Sequence, residues 1–174
     1  MNILQQFITK EIIPLVTGDK FWEQYLSASI ANEISPIGIH VAIFVEPYLT
    51  YVLEGKKTVE SRFGIQKRAP YGQVASGDIL LLKVSGGPIV GLCKVTDVWF
   101  YSLSPKSLDK LRREFTDALC AHDPDFWKQR SEASFATLMR INYVRNLNPI
   151  QFPKTDRRGW VVLRPPLSNS WLSR

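Results

Sequence analysis

The chain of 174 residues reads as an α+β protein: a small β-barrel with surrounding helices, preceded by an N-terminal helical arm. Three observations predict this. Between residues 39 and 165 the apolar runs are short and bounded by Gly and Pro, which suits a closed β structure. Helical periodicity marks residues 1 to 34, a short segment before Gly55 and an insert after Ser104. Charge divides at the arm boundary: residues 1–38 hold two lysines against four carboxylates, a balance of −2, and the remainder carries +8. The expected organisation is an arm over 1–38, a barrel domain over 39–165 and a tail over 166–174.

In the arm, Ile3 to Val16 and Phe21 to Ile34 show helical spacing, broken at Thr17-Gly18-Asp19, where Thr17 or Asp19 can cap the second helix. Phe21, Trp22, Tyr25 and Leu26 form a stripe that serves as a packing face or, alternatively, as a face for a protein partner. Ser35-Pro36-Ile37-Gly38 links the arm to the barrel. Strands are expected over 40–45, 58–63, 78–85 and from Ile89 to Tyr101, the last long enough to need a bend or bulge. Between the first two, Tyr48, Leu49, Val52 and Leu53 recur at helical spacing, with Pro47 at the start and Gly55 as C-cap. Ser85-Gly86-Gly87-Pro88 makes a tight turn and a weak phosphate-loop signal. Ser104-Pro105 opens a helical insert with Leu108, Leu111, Phe115 and Leu119 on one face, and a second helix runs from Pro124 toward Arg130. Ser131 to Met139 is expected to add a third turn or helix. Tyr143 to Phe152 and Gly159 to Leu163 read as closing strands, the first interrupted by Asn146 to Pro149, with the basic loop from Pro153 to Arg158 between them.

Hydrophobic and charged shares of 45% and 22% are ordinary for a soluble globular protein. No segment approaches the ~18 apolar residues of a membrane span, and the N-terminus lacks a basic stretch followed by an apolar run, so a soluble, cytoplasmic protein is expected. Cys93 and Cys120 offer neither a disulfide framework nor metal spacing and are read as buried thiols. His40 opens a strand and His122 follows a helix beside Asp123, so a catalytic histidine pair is set aside. No cofactor is expected; a divalent cation would be held loosely, together with the phosphates of a ligand. The basic balance points to a polyanion, most often nucleic acid.

The most informative run is Gly55-Lys56-Lys57-Thr58-Val59-Glu60-Ser61-Arg62. A strand starting near Thr58 turns Val59, Ser61 and Phe63 to one face and Thr58, Glu60 and Arg62 to the other. Glu60 and Arg62 at i, i+2 can pair, fixing the guanidinium. Alternation separates Lys57 from Glu60, so the two meet only if Lys57 lies in the helix-to-strand turn, where it is placed here. The alternative is a set of solvated charges blunting an edge strand.

Gly55-x-Lys57-x-x-Glu60-x-Arg62 resembles the signature of the ASCH domain family, which belongs to the PUA-like superfamily of small β-barrels that handle RNA. Ile43 to Glu54 resembles that family's strand and helix before the motif, Gly77-Asp78-Ile79-Leu80-Leu81-Leu82 its Gly-Asp strand opening, and Val90-Gly91-Leu92-Cys93-Lys94-Val95 its next strand. The resemblance runs from about Ile39 to Leu163. It implies an RNA-binding PUA-like barrel whose cleft takes a nucleotide. Lys57, Arg62, Lys67, Arg68, Lys83, Arg157 and Arg158 come from loops and strand ends that a small barrel brings toward one region, with Tyr48, Tyr51, Tyr71, Trp99 and Tyr101 interleaved. Cations among rings suit single-stranded RNA better than duplex. Trp99 and Trp160 are assigned to packing. The family also includes RNA-cleaving enzymes and an amidohydrolase acting on acetylated cytidine. The amidohydrolase branch has threonine where this chain has Glu60, which argues against that activity. For ribonuclease chemistry Lys57 would stabilise the phosphorane, Tyr51 relay a proton, and Glu60 act as base or orient the lysine; a tyrosine six residues before the motif lysine resembles the ribonuclease branch. The family's coregulator members imply a third role, a protein-interaction module using the arm. Lys57→Ala is expected to damage function more than Lys56→Ala, with folding intact.

Overall fold

The computed structural model describes residues 1–167, so the expected tail lies outside the described residues from position 168 on. Six strands, β1 (Ile39–Phe44), β2 (Val59–Gly64), β3 (Ile79–Val84), β4 (Ile89–Ser102), β5 (Phe135–Ile150) and β6 (Trp160–Arg164), form one sheet in the order β2-β5-β4-β3-β1-β6. β1 and β3 are parallel and the other neighbours antiparallel. The sheet curls into a half-barrel, as the twist of long strands favours. Among the described residues β2 and β6 remain edges with no pairing between them, so the barrel has an open seam where the sequence suggested closure. β4 and β5 pair along most of their length through three register shifts, which let both strands bend.

β5 corrects two expectations. Ser131 to Met139 is not helical from Phe135 onward, and Asn146 to Pro149 does not interrupt the strand. Ala136, Thr137, Leu138 and Met139 are all buried, because β5 is central and covered on both faces. Such a strand loses the alternation that distinguishes it from a buried helix.

Helices cover the sheet in two places. α4 (Pro105–Leu119), opened by Ser104 and Pro105, and α5 (Pro124–Lys128) pack Leu111, Leu119, Phe126 and Trp127 on Val59, Ala136 and Leu138. On the opposite flank lies the arm: α1 (Ile3–Phe7), a π turn over Ile8–Ile12, a 3-10 turn over Ile13–Val16, and α2 (Lys20–Ile30), capped by Asp19. Ile8, Ile12, Val16, Trp22 and Leu26 share one core with Ile39, Val41, Ile79, Leu81, Ile89 and Leu92. The Trp22 indole N–H donates to the Tyr143 carbonyl at 2.9 Å, Tyr25 Oη donates to Gly77 O at 2.6 Å, and Phe21 stacks on Tyr143 at 4.0 Å. The aromatic stripe is therefore a packing face, and the arm belongs to the domain core rather than being a free appendage.

The Gly77-Asp78 pair proves to be a structural knot. The Asp78 carboxylate accepts from Gly38 N at 2.6 Å, Ala75 N at 2.8 Å and His40 Nε2 at 2.9 Å, while Trp160 Nε1 donates to His40 Nδ1 at 3.2 Å. This ties the starts of β1, β3 and β6 together, and a Cβ at Gly38 would meet the carboxylate at 2.6 Å. His40 is fully buried, whereas His122 is exposed and pairs with Asp117 at 3.4 Å rather than with Asp123. Cys93 is buried and its thiol is pushed up by desolvation; Cys120, half-buried, occupies the left-handed cap of α4. Trp160 is buried, and Trp99 is half-buried against Phe115. Among the described residues no helix is long and apolar enough to cross a membrane.

Candidate functional site

The motif enters β2 from α3 (Tyr48–Leu53) through Gly55, whose φ of 75° is the left-handed conformation that ends a helix without a side-chain clash. Lys56 N and Lys57 N both donate to Tyr51 O, at 2.9 and 3.0 Å, so Lys57 belongs to the turn. From there its side chain runs inward and is only 3% exposed. Lys57 Nζ donates to Val59 O at 2.8 Å and to Leu119 O, in the last turn of α4, at 3.5 Å, and lies 3.2 Å from Glu60 Oε2. A cation against the last carbonyls of a helix is favourably placed. Burial nevertheless pushes the Lys57 ammonium below the ordinary lysine range, with Glu60 opposing the shift.

Glu60 is 4% exposed. Its Oε1 accepts from Arg62 Nε at 2.9 Å, whereas Oε2 has only the Lys57 ammonium beside it among the described residues. Arg62 spans the open seam: Nη1 donates to Gly159 O at 2.8 Å and Nη2 to Ile43 O at 2.9 Å, with the guanidinium 5.1 and 5.2 Å from the Phe44 and Trp160 ring centres. A planar five-donor fork suits this bridge between edges.

A cleft of about 770 Å³ opens at this seam, wrapping the free edge of β2. Among the expected residues, Lys57, Glu60, Arg62, Lys83, Arg157 and Arg158 line it. Arg68 and Tyr71 instead line a neighbouring cavity of about 440 Å³, with the Lys67 ammonium 5.8 Å from the Tyr71 ring centre. Tyr51 lines neither, which corrects its expected place beside Lys57 and Glu60. One helical turn separates it from Tyr48, and it is Tyr48 that lines the cleft, its ring centre 5.7 Å from Lys57 Nζ. Trp99 and Tyr101 also stay away from it, packed toward α4.

Phe126, Arg130 and Lys154 were not anticipated as lining residues. The Arg130 guanidinium sits 3.6 Å from the Phe126 ring centre, a cation–π contact that forms once α5 returns to β2, and desolvation lowers its pKa. In the basic loop, Asp156 accepts from Lys154 Nζ at 2.6 Å and from Arg158 Nη2 at 2.7 Å. These bonds hold its carboxyl well below the usual carboxylate range. Among the described residues Arg157 has no carboxylate partner, and neither does Lys83, which is 5% exposed and donates only to Val84 O at 3.2 Å. Among the described residues, seven cationic side chains and three carboxylates line the cleft. No three His, Cys, Asp or Glu side chains cluster as metal ligands among the described residues.

The arrangement offers an anion-attracting cleft with aromatic walls, a nearly buried lysine, Lys83, without a counter-ion among the described residues, and a buried carboxylate shared between Lys57 and Arg62. A family profile for the ASCH domain matches residues 43–144. The crystal structure of an ASCH protein from Zymomonas mobilis resembles the fold with a TM-score of 0.58 at 14% identity, over 72% of this chain and 87% of that one. A tyrosine-to-phenylalanine variant of that protein gives 0.57, also at 14% identity, over 72% and 90%. No curated protein matches the chain. Because the profile spans more than half of the sequence and the half-barrel carries the motif at its seam, this chain belongs to the ASCH domain family.

Proposed function

We propose that the protein binds single-stranded RNA and seats one nucleotide in the seam cleft. The observation that carries this is Lys83, a nearly buried ammonium with no carboxylate partner among the described residues, in a cleft where cations outnumber carboxylates seven to three. A buried unpaired charge is costly unless a ligand neutralises it, and a phosphate does so. Glu60 Oε2, which has only the Lys57 ammonium beside it among the described residues, accepts from an N–H or O–H of the ligand, and the half-buried Tyr48 supplies a ring for a base. Single strands present both base edges and phosphates to such a cleft, whereas a duplex keeps its bases stacked. Titration of a labelled single-stranded RNA by fluorescence anisotropy tests this with Lys83→Met and, as an exposed lysine on α4, Lys106→Met. Loss of the charge-assisted contact lowers affinity about tenfold in Lys83→Met only. Equal effects of the two substitutions, or equal affinity for an uncharged polymer, overturn the proposal.

RNA cleavage is favoured by one further observation, the depressed Lys57 ammonium at the cleft floor, since a lysine tuned downward by burial can exchange a proton with substrate. With Tyr51 outside the cleft, Tyr48 is the tyrosine that lines it, its ring 5.7 Å from the Lys57 ammonium. Shortening of end-labelled RNA by the wild type but not by Tyr48→Phe is the expected sign; RNA recovered intact assigns the cleft to binding alone.

A further inference from the structure

We infer that the neighbouring cavity is a second nucleotide subsite, so that the ligand is an oligonucleotide occupying both cavities across the edge of β2. The inference rests on the RNA-binding function proposed above and specifies the form of its ligand. The two cavities share Arg62, Phe63, Gly64 and Ile65. They are thus continuous along the end of one strand rather than separate features. From Glu60 to Ile65 the chain advances ~17 Å at the rise of an extended strand, too far for one nucleotide to reach from the cleft floor to the second cavity.

The second cavity has its own complementary chemistry. Among the described residues, Arg62 and Arg68 are the only charged groups lining it, and no carboxylate does. Tyr71 and Phe135 meet edge to face at 5.3 Å, and the Lys67 ammonium lies 5.4 Å from the Phe135 ring centre. Aromatic faces framed by Lys67 and Arg68, neither of which has a carboxylate partner among the described residues, accommodate a stacked base with its phosphate outside. An acidic peptide would satisfy the cations and leave the rings unused. Between the cavities stands Ile65, 70% exposed although it is a large aliphatic side chain. Set on the shared rim, it can wedge between one base and the next, which explains an exposure that otherwise only costs solvation.

The test compares a mixture of the four nucleoside monophosphates with single-stranded tetranucleotides of mixed sequence, by calorimetry, on the wild type, Arg68→Ala and Tyr71→Leu. Arg68 is exposed and among the described residues its side chain bonds only to Gln66, so this variant keeps the fold even if Tyr71→Leu does not. The wild type binds the tetranucleotides at least about tenfold more tightly than the monophosphates, the gain of one stacked and neutralised unit. Both variants lose most of that gain, while monophosphate affinity stays within about twofold because the first cleft is untouched. Equal wild-type affinity for monophosphate and tetranucleotide, or a parallel loss of both in Arg68→Ala, overturns the second subsite and leaves RNA binding standing. Failure of both ligands to bind overturns RNA binding itself, and the subsite with it.

Discussion

Lys56 and Lys57 are adjacent, carry the same charge and sit in unlike surroundings. Lys56 pairs with Glu54 in the open, both side chains about half or more exposed, an arrangement that water screens and that adds little to stability. Lys57 is enclosed by Val59 O, Leu119 O and Glu60, and its removal leaves the Glu60 carboxylate buried with Arg62 alone. The expectation that Lys57→Ala spares folding is therefore revised. Lys57→Ala should lower unfolding free energy by about 3 kcal/mol or more, as breaking a buried pair does, whereas Lys56→Ala should leave the midpoint nearly unchanged; urea unfolding measures both. Equal midpoints would show that Lys57 is not holding the turn. A pH dependence follows as well. Lys57 titrates below its ordinary value of 10.5 in the fold, so between the folded and unfolded values the unfolded chain binds more protons and stability from this group rises with pH. Below that window the burial penalty is present in full. Stability of the wild type relative to Lys57→Met should therefore increase on titration from neutral pH toward 10.5, and a flat difference would contradict the depressed ammonium.

At the scale of elements, the seam is held by side chains where a closed barrel would use a ladder. Arg62 reaches from β2 to the carbonyls of Ile43 and Gly159; lysine keeps the charge but offers no planar fork. Arg62→Lys should speed amide hydrogen exchange in β2 and around Gly159 while leaving β3 and β4 protected, since local opening follows the weakest cross-connections. Unchanged exchange in β2 would mean that its pairing with β5 alone fixes the edge. The Glu60–Arg62 pair and the turn position of Lys57 were legible because spacing on one strand decides which side chains meet. The acceptors of Arg62 were not, being separated from it by 19 and 97 residues. Tyr51 was misplaced for a related reason. Helical spacing tells that Tyr48 and Tyr51 are neighbours, but the packing of α3 on the sheet decides which one looks into the cleft. β5 was hidden by burial on both faces, which erases the period that identifies a strand.

For the whole molecule, the charge division along the sequence becomes a division in space. No residue of the acidic arm lines the cleft, whose lining begins at Ile43, and the arm instead covers the sheet face formed by Ile39, Val41, Ile79, Leu81, Ile89 and Leu92. The boundary at residue 38 was legible from composition, but its meaning was not, because amphipathic helices look alike whether their apolar face awaits a partner or already has one. Five arm side chains, Ile8, Ile12, Val16, Trp22 and Leu26, are at most 1% exposed. At ~1.5–3 kcal/mol each, their burial is of the same order as the ~5–15 kcal/mol by which a domain exceeds its unfolded state. A chain beginning at Pro36 should therefore lose cooperative melting or precipitate through the uncovered face, although every cleft-lining residue is retained. The single substitution Leu26→Asp, which places a charge in the same core, should shift the full chain in the same direction by several kcal/mol. Cooperative melting of the shortened chain at the wild-type temperature, with RNA affinity unchanged, would return the arm to an independent appendage and reopen its stripe as a docking face. Loss of the fold in both variants, with binding lost only as the protein unfolds, places the arm in the scaffold that holds the seam open.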